Sequence, residues 1–169
     1  MEPKIVNLSA IKIAGYIINT TGKDGENLRA IPQFWADYVS DGRMEKLHGE
    51  NFLKSHTEYG ACFPENPVTG EFEYIIGVEV KDGAAVPPVY QVRETPPAAY
   101  AVFSSPPADG AGFSAAIQGM WGYIFAEWLP GAAYQIDPNG VSFELYDERC
   151  MLDNAKVCDI YVPVVRRLI

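Results

Sequence analysis

The strongest constraint on the fold of this chain is an order of elements that occurs twice, once on each side of a proline-rich midpoint. Lys81 to Pro97 holds Asp82-Gly83, Pro87-Pro88 and Pro96-Pro97 around a short Val89-to-Val92 strand, and no helix continues through such a stretch. Before it, Ile11, Ile13, Tyr16 and Ile18 fall at strand spacing, in one strand running from Ile5 to Ile18 and bent at Gly15. A polar loop, Thr20 to Glu26, leads to Ile31, Phe34, Trp35, Tyr38 and Val39 at helical spacing, with Pro32 suited to the first turn. Tyr59 to Phe63 and Phe72 to Val80 then read as a hairpin, with Pro64, Pro67 and Gly70 in its loop. After the midpoint the order returns. Tyr100 to Phe103 is a strand, Phe113, Ile117, Trp121, Ile124 and Trp128 form a helical stripe stopped by Pro130-Gly131, and Phe143 to Tyr146 and Val157 to Val165 are strands.

Each half is thus strand, helix, strand, strand. The expected fold is α+β: two βαββ units, about 1–90 and 91–169, sharing one antiparallel sheet, with helices around 32–46 and 112–129 on one face. A ligand site is expected on the opposite face or at the seam between the halves. The chain of 169 residues, nearly half of them hydrophobic, is long enough for one substantial core and reads as a single domain.

Charge and composition exclude several functions. A net charge of −9 repels phosphate backbones, so direct nucleic-acid binding is not expected. The N-terminus lacks a secretory pattern, and no run approaches the roughly 18 apolar residues of a membrane span, which points to a cytoplasmic protein with no membrane partner. Cys62, Cys150 and Cys158 form no CxxC pair and read as small buried or edge thiols. His48 and His56 stand eight apart in a polar stretch, off the spacing of a helical metal pair, and read as solvated; no metal site is expected. Phosphate-loop, dinucleotide, zinc-protease and serine-hydrolase motifs are all missing, so no cofactor and no catalytic residue is assigned. Arg166-Arg167 reads as a charged edge that discourages further strand pairing.

Two features carry chemistry. Strand alternation puts Glu144 and Tyr146 on one face, Phe143 and Leu145 on the other. A buried lone carboxylate is costly unless a cation or several donors meet it, so Glu144 either points into water or awaits a positive guest, and the pattern alone leaves both open. Ten Tyr, eight Phe and three Trp are more rings than a small core needs, and many Tyr, among them Tyr59, Tyr74, Tyr100 and Tyr146, are expected at strand starts rather than at mid-core positions. Such rings stack on planar ligands and attract cations through their faces. The stripe holding Trp121 and Trp128 fits core packing as well as a pocket wall.

The segments Ile31-Pro32-Gln33-Phe34-Trp35, Tyr59-Gly60-Ala61, Phe72 to Val80, Pro97 to Phe103, Trp128-Leu129-Pro130, Phe143 to Tyr146 and Asp159 to Val164 together resemble, in order, the gyrase-inhibitor-like superfamily. That family includes the effector-binding domains of multidrug-sensing transcription regulators of AraC type, and free-standing members. The resemblance covers nearly the whole chain and implies the duplicated βαββ fold. It also implies a small, aromatic or cationic organic ligand, with Glu144 at the base of the pocket, Tyr59 as a wall, and Tyr100, Trp121 and Tyr146 beside them. Many relatives carry a DNA-binding segment or a kinase-like partner that these 169 residues do not include, so a transcriptional effect calls for a protein partner. Whether the chain is an enzyme stays open at this stage. Some relatives hydrolyse strained rings of genotoxic compounds, and the gyrase inhibitor itself is a protein-binding module.

Overall fold

The computed structural model describes residues 2–168. In chain order the strands are β1 (Lys4–Leu8), β2 (Ile11–Thr21), β3 (Leu53–Cys62), β4 (Glu71–Val80), β5 (Gln91–Thr95), β6 (Ala98–Ser104), β7 (Tyr134–Ile136), β8 (Ser142–Tyr146) and β9 (Asp159–Arg166). The helices are α1 (Glu26–Ser40), α2 (Arg43–His48) and α3 (Phe113–Tyr123), the last continuing through a π-helical turn, Ile124–Trp128. All strand pairings within each unit are antiparallel, and the class is α+β as expected.

The chain divides into two compact units. Unit one is Ile11–Thr95, with strand order β3-β4-β2-β5. Its core is Ala14, Ile76, Val78 and Val80 from the sheet packed against Phe34 and Tyr38 of α1 and Leu47 of α2. Unit two consists of the described residues on either side, with order β8-β9-β6-β1 and β7 added on β9. Ala101, Phe103, Ile160, Val162 and Val164 face Ile117, Met120 and Ile124 there. In both units the strand before the helix and the last strand of the βαββ run lie side by side, and a fourth strand extends the pattern. That fourth strand is β5 in unit one and β1 in unit two.

The differences from the sequence reading have local causes. The expected strand from Ile5 to Ile18 is two strands, because the chain leaves β1 at Ser9-Ala10 and β1 pairs with β6 instead of following β2. Gly15 marks a close approach: it lies opposite Gly77, and a Cβ on it would stand 2.0 Å from the Ile76 carbonyl oxygen. Gly60 has a similar reason, since a Cβ there would meet the Tyr74 hydroxyl at 2.2 Å. Helix α1 starts at Glu26, so Pro32 is its seventh residue and leaves the Leu28 carbonyl without its helical donor. Both residues are exposed, so that carbonyl is left on the solvent side of the helix. The helix breaks at Asp41-Gly42, where Gly42 takes φ +88°, and α2 follows.

The strand expected at Val89 to Val92 is β5, shifted to Gln91–Thr95 and paired with β2. The edge expected at Arg166-Arg167 is covered by β7, and Arg167 donates to the Tyr134 and Leu129 carbonyls. The cysteines are free. Burial pushes the Cys150 thiol up to about 11 and Cys158 further. Among the described residues no helix is long and apolar enough to cross a membrane.

Candidate functional site

Strand β8 pairs with β9 in the register Phe143↔Tyr161, Glu144↔Ile160 and Leu145↔Asp159. Directly paired residues share a face. Glu144 therefore lies with Ile160, Val162 and Val164, the side covered by α3, while Phe143 points to the other side and stacks on Tyr161 with centroids 4.5 Å apart. A site on the face opposite the helix is not where Glu144 falls.

Helix α3 sets Ile117, Met120 and Ile124 into the sheet, which leaves Trp121, one helical step aside, partly buried over β8. Its indole N–H donates to Glu144 Oε1 at 2.8 Å, and the Tyr146 hydroxyl donates to Oε2 at 2.5 Å. The Phe113 ring meets Tyr146 edge-on, and Phe125 stacks on Trp121 at 5.7 Å with the planes 16° apart. Phe125 is 51% exposed, so this aromatic cluster reaches the surface.

The electrostatics of Glu144 are unusual. The residue is half-buried, yet desolvation raises its pKa above the ordinary carboxylate range, and the hydrogen bonds from Tyr146 and Trp121 offset this in part. Among the described residues Glu144 forms no ion pair, and no charged side chain contributes to the shift. The buried Cys158 thiol, raised first by its own burial, also feels the Glu144 charge. A carboxylate held by two neutral donors and by no cation still has lone pairs to offer a guest.

The structure thus brings Glu144, Trp121 and Tyr146 together. Tyr100 is not with them. It is buried on the opposite face of the sheet, donates to the Val141 carbonyl at 3.2 Å, and packs edge-on against Phe143 and Tyr161. Tyr59 belongs to unit one, where its hydroxyl donates to Glu79 at 3.3 Å. Phe125 was not singled out from the sequence, although its position four residues after Trp121 on a helix is the signal that pairs them.

A second polar cluster lies in unit one. The buried Tyr38 hydroxyl donates to Glu58 Oε1 at 2.6 Å, and His48 Nε2 stands 2.8 Å from the same oxygen. Burial first, and then Glu58, push the Tyr38 hydroxyl far up, so it remains a donor. His48 is half-buried and linked to His56, not solvated as its polar surroundings suggested.

Comparison with known proteins agrees with this architecture. The transcriptional regulator BrlR of Pseudomonas aeruginosa is 28% identical over 97% of the chain, which spans 56% of the length of that relative. A transcription regulation protein of Staphylococcus aureus shares the fold with a TM-score of 0.72 at 21% identity, covering 97% of this chain and 98% of that one. SAV2435, solved with tetraphenylphosphonium bound, has a TM-score of 0.76 at 20% identity, covering 98% and 94%. The integron cassette protein VCH_CASS2 of Vibrio cholerae has a TM-score of 0.63 at 15% identity, covering 97% and 96%. The family model of integron-associated effector binding proteins matches residues 4–164. With nearly its whole length matched, the chain belongs to the Cass2 family of integron-associated effector binding proteins, within the gyrase-inhibitor-like group its motifs resemble.

Proposed function

We propose that this protein binds a lipophilic organic cation at Glu144, with Trp121, Tyr146, Phe113 and Phe125 supplying the aromatic surroundings. The observation that carries the reading is the desolvated carboxylate met by two neutral donors and by no cation. An approaching cation supplies the missing charge. Its binding favours the ionised carboxylate, and its rings gain contact with aromatic faces, worth roughly 0.5–2 kcal/mol per cation–ring contact. Tetraphenylphosphonium, bound by SAV2435, has this chemistry: one positive charge buried among four rings.

Such a ligand fits an effector-binding role in transcription regulation or resistance. The chain spans only 56% of the length of BrlR, and its charge of −9 opposes DNA contact, so in this reading the contact with DNA is made outside these 169 residues. The reading places the protein in the cytoplasm beside such regulators.

The test is Glu144→Gln, which keeps the shape and removes the charge. Affinity for tetraphenylphosphonium, followed by tryptophan quenching, is expected to fall by about 1.5–3 kcal/mol, the range for a charge-assisted contact. A neutral aromatic compound of similar shape should bind both forms alike. Equal losses for the two compounds would make Glu144 structural rather than a cation receptor.

A further inference from the structure

Away from Glu144, four side chains of unit one form a continuous polar chain: Tyr38, Glu58, His48 and His56. We propose that His48 and His56 bind a divalent metal ion of the zinc, nickel or copper type, with Glu58 holding His48 from behind. His48 ends α2 and His56 lies on β3, and the buried Leu47, just before His48, and Phe52, between the two, anchor this stretch of chain. The two Nδ1 atoms face each other at 2.9 Å. Two bare lone pairs, or two N–H groups, repel at that distance, so a proton or a cation must stand between them.

The Glu58 carboxylate decides which nitrogen is ready. Accepting at 2.8 Å from His48 Nε2, it leaves the Nδ1 lone pair of neutral His48 facing the gap, and the bridging proton then comes from His56. A carboxylate accepting from the far N–H of an imidazole is the arrangement that orients metal-binding histidines and raises their basicity. Glu58 is itself held by the Tyr38 hydroxyl at 2.6 Å.

The ring centroids are 5.2 Å apart, so the nitrogens lie close to the line between ring centres, as a shared proton requires. A metal ion at about 2.0–2.1 Å from each nitrogen spaces them about 3.0–3.4 Å apart and needs the rings to converge at an angle. His56 is the ring able to tilt: it is exposed, and the pairing of β3 with β4 is irregular between Leu53 and Glu58. Among the described residues no group of three or more His, Cys, Asp or Glu side chains is arranged to hold a metal, so water completes the coordination. Imidazole donors with open positions suit zinc, copper and nickel.

The experiment is calorimetric titration of the full chain, free of any polyhistidine tag, with Zn2+, Ni2+ and Cu2+ separately, followed in parallel by the NMR signals of the histidine ring protons. One saturable site is expected, with both rings shifting together. His56→Ala and His48→Ala should each abolish it, and Glu58→Gln should weaken it about tenfold or more. His56→Ala decides the matter if His48→Ala does not fold, because His56 is exposed. The proposal fails if no metal saturates a site, in which case the gap holds only a proton, or if binding survives His56→Ala unchanged.

Discussion

The two units each place a glutamate on a strand after the helix, on the helix-facing side of the sheet, yet the two carboxylates have opposite surroundings. Glu58 meets the fully buried Tyr38 hydroxyl and His48, a ring able to carry the opposing charge. Glu144 meets an indole and a phenol, both neutral, and its pKa rises by desolvation. The aromatic surface differs likewise. In unit one the Arg43 guanidinium stands 5.4 Å over the Tyr16 ring and 5.3 Å over Phe34, whereas among the described residues no cation stands over the stacked Trp121 and Phe125 of unit two. One duplicated framework thus carries one acid beside a histidine and another that meets only neutral donors.

The largest effect should appear in pH dependence. An unfolded glutamate titrates near about 4.3, and Glu144 titrates higher when folded. The folded state therefore binds this proton more tightly than the unfolded one, and its contribution to stability declines as pH rises from about 4.3 through the raised value. Glu144→Gln lacks this term. Unfolding free energies measured in urea in steps from acid to neutral pH should shift in favour of the variant, by about 1.4 kcal/mol for each pH unit by which the folded pKa exceeds the unfolded one. Tetraphenylphosphonium affinity of the wild type should rise over the same range, as the carboxylate ionises. A constant gap between the two proteins would erase the contrast between the glutamates.

Next comes Glu58→Leu, which strands the buried Tyr38 hydroxyl without its acceptor and should lower stability in urea by about 1–3 kcal/mol. Glu144→Leu should cost less, because Trp121 and Tyr146 are only partly buried and their donors can turn to water. The reverse ranking would mean that Glu144 is the structural acid. The smallest effect belongs to Tyr100→Phe. Loss of its bond to the Val141 carbonyl should cost about 0.5–1.5 kcal/mol of stability and leave cation affinity unchanged, since Tyr100 lies on the other face. A loss of affinity there would join the two faces in one site and break the assignment.

What was legible in the sequence was local. The helical stripe from Phe113 to Ile124, the hairpin around Gly70 and the duplicated order follow from periodicity and turn residues, which depend on neighbours a few positions apart. The sharing of one face by Glu144 and Tyr146 is of the same kind, because two residues along a strand always return to the same side. Family motifs added Trp121, whose indole reaches Glu144 from another element.

What lay beyond the sequence depended on distant segments. Whether Tyr100 shares a face with Glu144 turns on the register of β6, β8 and β9, and a shift of one residue reverses the answer. The pairing of β1 with β6 joins residues almost a hundred positions apart across an unremarkable Ser9-Ala10 break. The meeting of His48 and His56 needs α2 to end against β3, and nothing in their eight-residue spacing states it. By itself, then, the sequence determined the elements, the duplication and which side chains alternate along each strand, because short-range sterics and hydrophobic period govern those. The tertiary structure alone decided which faces meet, which acid gains a partner and which is left desolvated, because register and burial are set by the packing of segments far apart in the chain.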